Sequence, residues 1–99
     1  MKDVNLSHIY NHLMRFYGVT MFKVFSILDD KGMHPKETKV EFYFDITRKV
    51  NQVRLQRILD RNIKNVNKFF FIVQDNRIII HLDYTRKSNV EFDFEFSSN

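Results

Sequence analysis

The sequence predicts an α+β fold in which two helices pack on one face of an antiparallel sheet of about five strands, in the order α-β-β-α-β-β-β. Two segments repeat apolar residues at steps of three and four, and others are β-branched and aromatic or alternate apolar with polar residues. The order lacks the strand–helix alternation of a parallel sheet, so short connections favour antiparallel pairing. With 99 residues, 43% of them apolar, the chain is expected to form a single domain over residues 1–99.

The first predicted helix covers residues 6–17. Its apolar face consists of Leu6, Ile9, Tyr10, Leu13, Phe16 and Tyr17. Asn5 or Ser7 can cap the start of this helix, since a short side-chain oxygen accepts a hydrogen bond from an unpaired backbone N–H there. Gly18 follows the last periodic residue, where the left-handed conformation that ends many helices favours glycine.

Two strands are predicted to follow. Val19–Leu28 is rich in β-branched and aromatic residues and ends at the turn-forming cluster 29–32. Residues 33–36 are expected to be irregular, because Pro35 cannot donate a hydrogen bond to a sheet. From Val40 to Ile46 apolar and polar residues alternate strictly, which is typical of a half-buried strand.

The most periodic stretch of the chain is 51–68, which predicts a second helix capped by Asn51. Five cations at steps of three and four would share one face of it: Arg54, Arg57, Arg61, Lys64 and Lys68. The apolar stripe on another side would consist of Leu55, Leu59, Ile63 and Val66. The pattern predicts that this helix packs its apolar stripe on a sheet and turns its basic stripe to water.

A hairpin is predicted next, with Asp75 and Asn76 as its two-residue turn. Phe69–Val73 is apolar at every position, which is typical of an inner strand. The turn would pair Val73 with Ile78, Phe71 with Ile80, and Phe69 with Leu82, all on the helix side. A last strand is predicted at Val90–Phe96, where apolar and acidic residues alternate.

The side of the sheet away from the helices is predicted to be an acidic surface with an apolar centre. The hairpin would supply Phe70, Ile72 and Ile79 at this centre, and Asp83 beside it. The flanking strands would add Glu41, Tyr43, Asp45, Glu91, Asp93 and Glu95. An aliphatic centre with a charged rim is typical of a partner or dimer interface. Alternating strands also place acids on surfaces that only face water, and both interpretations stay open.

The sequence contains no catalytic or metal-binding signature. It has no cysteine, only two glycines and no nucleophile or phosphate-loop motif, so we expect no enzyme activity, no metal and no cofactor. His8 and His12 have a spacing that can hold a metal, but a site needs a third ligand.

A less favoured hypothesis is RNA cleavage by one further group of residues. These are Arg77, His81, Tyr84, Arg86 and Lys87. A histidine among several cations can act as acid, base and phosphate clamp. Small basic mRNA-cleaving toxins resemble this chain in size and in ending on a β-meander, and in those respects only.

Together these features predict a small non-catalytic interaction protein. The expected partner is a protein or a second copy of the chain, bound through the acidic sheet face. In its concrete form the protein is an inhibitor of a nucleic-acid-handling protein, whose basic surface the acids would complement. The alternative is RNA or DNA binding through the basic stripe of residues 51–68, consistent with a net charge of +4. That stripe is equally typical of a solvated helix face.

Composition gives two further expectations. No apolar run approaches the roughly 20 residues that span a bilayer, and no signal peptide is found, so no membrane association is expected and the cytoplasm is the default location. The absence of Ala, Cys and Trp, with eleven Phe, resembles proteins from AT-rich genomes, many of them viral or phage. A viral or phage accessory role in a host cytoplasm is therefore expected.

Overall fold

A computed structural model describes residues 3–28, 32, 35–44, 49–74 and 76–84, which form two helices and four strands. The elements are α1 (Leu6–Tyr17), β1 (Val19–Leu28), β2 (Pro35–Phe44), α2 (Gln52–Asn62), β3 (Lys68–Gln74) and β4 (Arg77–Asp83). All strand pairs are antiparallel, and the order across the sheet is β1-β2-β4-β3. The predicted α+β class is confirmed, and the six described elements follow the predicted order. The predicted fifth strand, Val90–Phe96, lies outside the described residues.

Helix α1 has the predicted bounds and the predicted caps. The Asn5 side chain accepts a hydrogen bond from the backbone N–H of His8 at 3.1 Å, so Asn5 and not Ser7 is the N-cap. Gly18 adopts the left-handed conformation (φ 68°) and its N–H bonds to the carbonyl of Met14 at 3.0 Å. Because this conformation costs a residue without a Cβ very little, the chain can leave the helix and enter β1 at once.

The β3–β4 hairpin has the predicted register. Val73 pairs with Ile78, Phe71 with Ile80 and Phe69 with Leu82. The pair Gln74–Arg77 leaves two residues between the strands, of which Asn76 is in a turn and Asp75 lies outside the described residues. The prediction that β3 is an inner strand is wrong for the described sheet, in which β4 is inner and β3 is at the edge. Phe70 and Ile72, on the side of β3 that does not pack on the core, are exposed.

Strand β2 begins earlier than predicted. Residues Pro35 and Lys36, expected to be irregular, belong to it. Pro35 is the first residue of the strand and lies opposite Leu28, next to a register irregularity. At such a position the missing N–H of proline interrupts no continuous ladder, so the strand tolerates it.

Helix α2 begins as predicted but ends six residues early. Asn51 caps its start by accepting a hydrogen bond from the backbone N–H of Arg54 at 3.0 Å. At the other end Ile63 is extended (φ −123°, ψ 113°) and forms a β-bridge with Val4. Asn65 then takes a positive φ of 60°. The bridge to the N-terminal segment competes with further helix, so Lys64 and Lys68 are not on the helix.

The core lies between the helices and one face of the sheet. The helices contribute Leu6, Ile9, Leu13, Tyr17, Leu55 and Leu59. The sheet contributes Val19, Val40, Phe42, Phe44, Ile78, Ile80 and Leu82. The predicted core residues Phe69, Phe71 and Val73 pack against this cluster while partly buried. Both helices therefore cover the same face, as predicted.

We expect Leu59→Ala to lower the free energy of unfolding by about 2–5 kcal/mol, because Leu59 is fully buried and the substitution leaves a cavity. Val53→Ala on the same helix should change it by less than about 0.5 kcal/mol, because Val53 is 65% exposed. Urea unfolding followed by circular dichroism measures both. Equal effects of the two substitutions would contradict the packing of α2 on the core.

Candidate functional site

Two surfaces carry the residues that the sequence singled out. The open face is the side of the sheet opposite the helices, and it has four residues from each strand. They are Met21, Lys23, Phe25 and Ile27 (β1), Glu37, Lys39, Glu41 and Tyr43 (β2), Arg77, Ile79, His81 and Asp83 (β4), and Lys68, Phe70, Ile72 and Gln74 (β3). The helix face is the outer surface of α1 and α2. Its residues are His8, Asn11, His12, Arg15, Phe16, Arg54, Arg57 and Arg61.

Strand pairing arranges the open face in four rows, because directly opposite residues in an antiparallel sheet point to the same side. The two middle rows are Lys23–Glu41–Ile79–Ile72 and Phe25–Lys39–His81–Phe70. The two outer rows are Met21–Tyr43–Arg77–Gln74 and Ile27–Glu37–Asp83–Lys68. The inner strands β2 and β4 thus carry most of the polar groups, and the edge strands carry most of the exposed apolar ones.

Glu41 occupies the polar centre of the open face and is buried there. Its carboxylate lies 3.3 Å from the Lys39 ammonium and 3.4 Å from the Arg77 guanidinium. It also accepts a hydrogen bond from the Tyr43 hydroxyl. This hydrogen bond is the main cause that holds the pKa of Glu41 below its ordinary value; Lys39 and Arg77 act in the same direction and burial opposes them. The charge of Glu41 is therefore neutralised within the face.

Aromatic rings and cations surround this centre. The Phe70 and His81 rings stack, with centroids 4.6 Å apart and planes 9° from parallel. The Lys39 ammonium is 5.1 Å from the centre of the Phe25 ring, and the Lys23 ammonium is 5.6 Å from that of Tyr43. These contacts order side chains on a surface that no element covers within the described part of the chain.

Some of the residues predicted for the protein-binding face lie together on the open face. The charge of the described part of this face differs from the prediction. Phe70 and Ile72 are exposed as predicted. Ile79, on the inner strand β4, is buried. Three carboxylates, Glu37, Glu41 and Asp83, share the described face with four cations, Lys23, Lys39, Lys68 and Arg77. The described part is thus not acidic. The predicted acids Asp45, Glu91, Asp93 and Glu95 lie outside the described residues.

On the helix face, three of the five predicted cations remain aligned. Arg54, Arg57 and Arg61 follow one another at steps of three and four on α2 and are all exposed. Lys64 follows the helix and donates a hydrogen bond to the carbonyl of Asp60 at 2.9 Å. Lys68 lies on the open face as the first residue of β3, so the predicted five-residue stripe is wrong at its end.

Helix α1 extends the basic surface of α2. The Arg54 guanidinium lies 5.0 Å from the centre of the Phe16 ring, and the His12 and Phe16 rings are 4.5 Å apart. An open pocket of about 180 Å³ lies beside them, lined by His8, Asn11, His12, Arg15 and Phe16. Burial, and then the charges of Arg54, His8 and Arg15, hold the pKa of His12 below its ordinary value. The neighbouring cations Arg54 and Arg15 thus add to the effect of burial on this side chain.

The positive excess of the described chain lies mostly in the helix layer. Residues 3–18 and 49–67 carry six cations (Arg15, Lys49, Arg54, Arg57, Arg61 and Lys64) and two carboxylates (Asp3 and Asp60). The arginines of the two helices form no ion pair with another described residue. Asp60 accepts a hydrogen bond from Gln56 at 2.9 Å. These arginines are therefore available to an anionic ligand.

Two less favoured candidates are a metal at His8 and His12, which was not expected, and the RNA-cleavage group, of which the structure describes only a part. His8 and His12 share the α1 pocket, but the described residues contain no group of three His, Cys, Asp or Glu side chains that could hold a metal. Of the predicted RNA-cleavage group, Arg77 and His81 are on the open face, while Tyr84 is buried and burial raises its pKa to about 12. Arg86 and Lys87 lie outside the described residues. None of the described helices is long and apolar enough to cross a membrane.

Sequence reasoning missed the contributions of β1 and of α1. It assigns no face to Met21, Phe25 and Ile27, because β1 is apolar along most of its length and a register shift near Thr20 interrupts its pairing. Lys39 could have been found by continuing the alternation of β2 one step back from Glu41. The helical periodicity puts Arg15 on the outer side of α1, but only the structure places its helix beside Arg54.

We expect Glu41→Gln to lower the free energy of unfolding by about 1–2 kcal/mol at neutral pH, because it removes a charged hydrogen-bond acceptor between two cations. Since folding lowers the pKa of Glu41, its contribution is present above the ordinary pKa of 4.5 and is lost as the pH falls through the folded-state value. The difference between the two proteins should therefore shrink below that pH. Glu37→Gln, on the exposed end of β2, is the control. Urea unfolding across pH measures both, and a pH-independent difference would contradict the assignment.

A scan against models of known protein families, a search of curated proteins and a search of solved structures each found no match to this chain.

Proposed function

We propose that the protein binds nucleic acid through the helix face. The observation that carries this proposal is the concentration of arginines without a described ion-pair partner on the outer surface of α1 and α2, where the described helix layer has six cations and two carboxylates. Nucleic acids present a phosphate for every nucleotide, so a surface of this kind attracts them over a distance of roughly 10 Å at moderate salt. The alternative predicted from the sequence is therefore favoured over the acidic sheet face.

The geometry of α2 supports phosphate contacts along one line. Arg54, Arg57 and Arg61 span two helical turns, about 10 Å along the axis. That distance covers two neighbouring phosphates of an extended or helical strand. Guanidinium groups bind phosphate oxygens through two parallel hydrogen bonds, so each arginine can position the backbone as well as attract it.

The junction with α1 supports a second kind of contact. Phe16 is 46% exposed and lies close to both the His12 ring and the Arg54 guanidinium. An exposed aromatic ring beside a cation can stack an unpaired base while the cation binds its phosphate. This arrangement favours single-stranded over double-stranded ligands.

The first test is binding of labelled single- and double-stranded RNA and DNA, followed by fluorescence anisotropy across a salt titration. We expect affinity to fall steeply as salt rises, because binding releases counterions from the nucleic acid. Arg57→Glu combined with Arg61→Glu should weaken binding by at least about tenfold and reduce the salt slope by roughly two. The absence of binding at low salt would overturn the proposal.

A matched control separates the helix face from net charge. Lys36→Glu combined with Lys68→Glu makes the same change in charge at two exposed strand residues. We expect this control to bind nearly as well as the unmodified protein. An equal loss in both double variants would show that net charge alone accounts for binding and would remove the helix face as the site.

A second prediction concerns His12. Burial and then the charges of Arg54, His8 and Arg15 lower the pKa of His12. A phosphate bound beside Arg15 and Arg54 would offset the part that is due to charge, so binding should raise that pKa. Binding then takes up protons, and affinity should increase as the pH falls through the range between the bound and free values. Titration of the histidine ring protons by NMR, with and without a short oligonucleotide, measures the change. His81 on the open face is the internal control. An unchanged titration of His12 would place the phosphate elsewhere.

A further inference from the structure

The residues of the open face are arranged in a self-complementary pattern. Its exposed apolar residues lie on the two edge strands: Met21, Phe25 and Ile27 on β1, and Phe70 and Ile72 on β3. Each is 42–56% exposed. Five large apolar side chains on one surface that no described element covers exceed what scattered surface residues explain. We propose that this face binds a second copy of the same chain in a two-fold dimer, whether or not the protein binds nucleic acid.

Charge first distinguishes a second copy from a strongly charged partner. Glu41 is neutralised by Lys39, Arg77 and Tyr43 within the chain, and the described face holds three carboxylates and four cations. A surface with both signs interspersed attracts neither nucleic acid nor a uniformly basic or acidic protein. It fits a partner in which both signs are interspersed in the same way.

The row order then selects the symmetry axis. Two sheets that pack face to face can be related by a two-fold axis either along or across their strands. An axis along the strands places each row of one copy opposite the same row of the second copy. It would place Glu37 against Asp83 and Lys39 against His81 of the second copy, which are pairs of like charge or of two basic groups. That axis is disfavoured.

An axis across the strands exchanges the rows and gives complementary pairs. On the inner strands it places Lys39 over Glu41 and Arg77 over Asp83 of the second copy. On the edge strands it places Met21 over Ile27 and Phe70 over Ile72 of the second copy. This axis places no two groups of like charge against each other, and apolar side chains meet on both edges. The self-complementary pattern therefore specifies an isologous interface with this axis.

The direct test is the molar mass in solution, measured by light scattering after gel filtration, on the full chain. The dimer has twice the monomer mass of 12.1 kDa. We expect Ile72→Lys to give a monomer, because it places a charge in the apolar contact. Val53→Lys is the matched control, since Val53 is an exposed apolar residue on α2, away from the open face. A monomeric unmodified protein at the highest concentration tested, or a dimer that persists in Ile72→Lys, would overturn the proposal.

A mixing experiment tests the axis and guards against a variant that fails to fold. Phe70→Glu and Ile72→Lys should each be monomeric, because each homodimer would contain two disrupted contacts. Their mixture should form a heterodimer, in which the carboxylate introduced into one chain meets the ammonium introduced into the other while the second contact keeps its native residues. Recovery of the dimer mass requires both chains to be folded. Failure to recover it, with both variants showing native circular dichroism, would overturn the across-strand geometry.

Discussion

The structure depends on a single constraint: two short helices cover only one face of the sheet. The helices have 12 and 11 residues and are about 18 and 16 Å long. Their buried residues pack with Val40, Phe42, Ile78 and Ile80 on that side. Alternation along the same strands then places Lys39, Glu41 and Arg77 on the other side. Within the described part of the chain, no layer covers the open face and its polar groups have to be satisfied there. Lys39, Glu41, Tyr43 and Arg77 pair with one another, so most polar groups lie on the inner strands and most exposed apolar side chains lie on the edge strands.

The same division separates the two candidate surfaces by their electrostatics. On the open face the cations Lys39 and Arg77 share the buried carboxylate of Glu41, which offsets part of their charge. On the helix face the arginines are exposed, and the charges of Arg54 and Arg15 add to burial in lowering the pKa of His12. An anionic ligand gains most from the helix face, because the arginines there have no ion-pair partner within the described part of the protein. A partner with an apolar surface gains most from the edges of the open face.

Local patterns predicted the elements, and non-local contacts decided what the patterns left open. Residues 6–17 and the hairpin register follow from periodicity, a glycine and a two-residue turn, all visible within a few positions. The end of α2 does not, because Ile63 continues the apolar repeat from Leu59 although its bridge to Val4 ends the helix. Likewise the alternation of β2 identifies Glu41 as outward-facing, but its neutralisation depends on Arg77, 36 residues away in the chain. The same holds for the helix face. The alignment of Arg54, Arg57 and Arg61 on α2 was predictable from their spacing, whereas the position of α1 beside them was not.

The two proposals also have a joint consequence for valency. In a dimer closed by the open faces, the sheets lie inside and each pair of helices faces outward, so the two helix faces point in opposite directions. A single short strand cannot contact both, whereas a long or looped nucleic acid, or two separate segments, can. Binding at the second face then becomes effectively intramolecular, and the gain in affinity depends on the length of nucleic acid between the two contacts. Short oligonucleotides should consequently bind each face independently, while longer ones should bind the dimer more tightly than a monomeric variant with an intact helix face. Equal affinity of the dimer and such a variant for long strands would show that the two faces act separately.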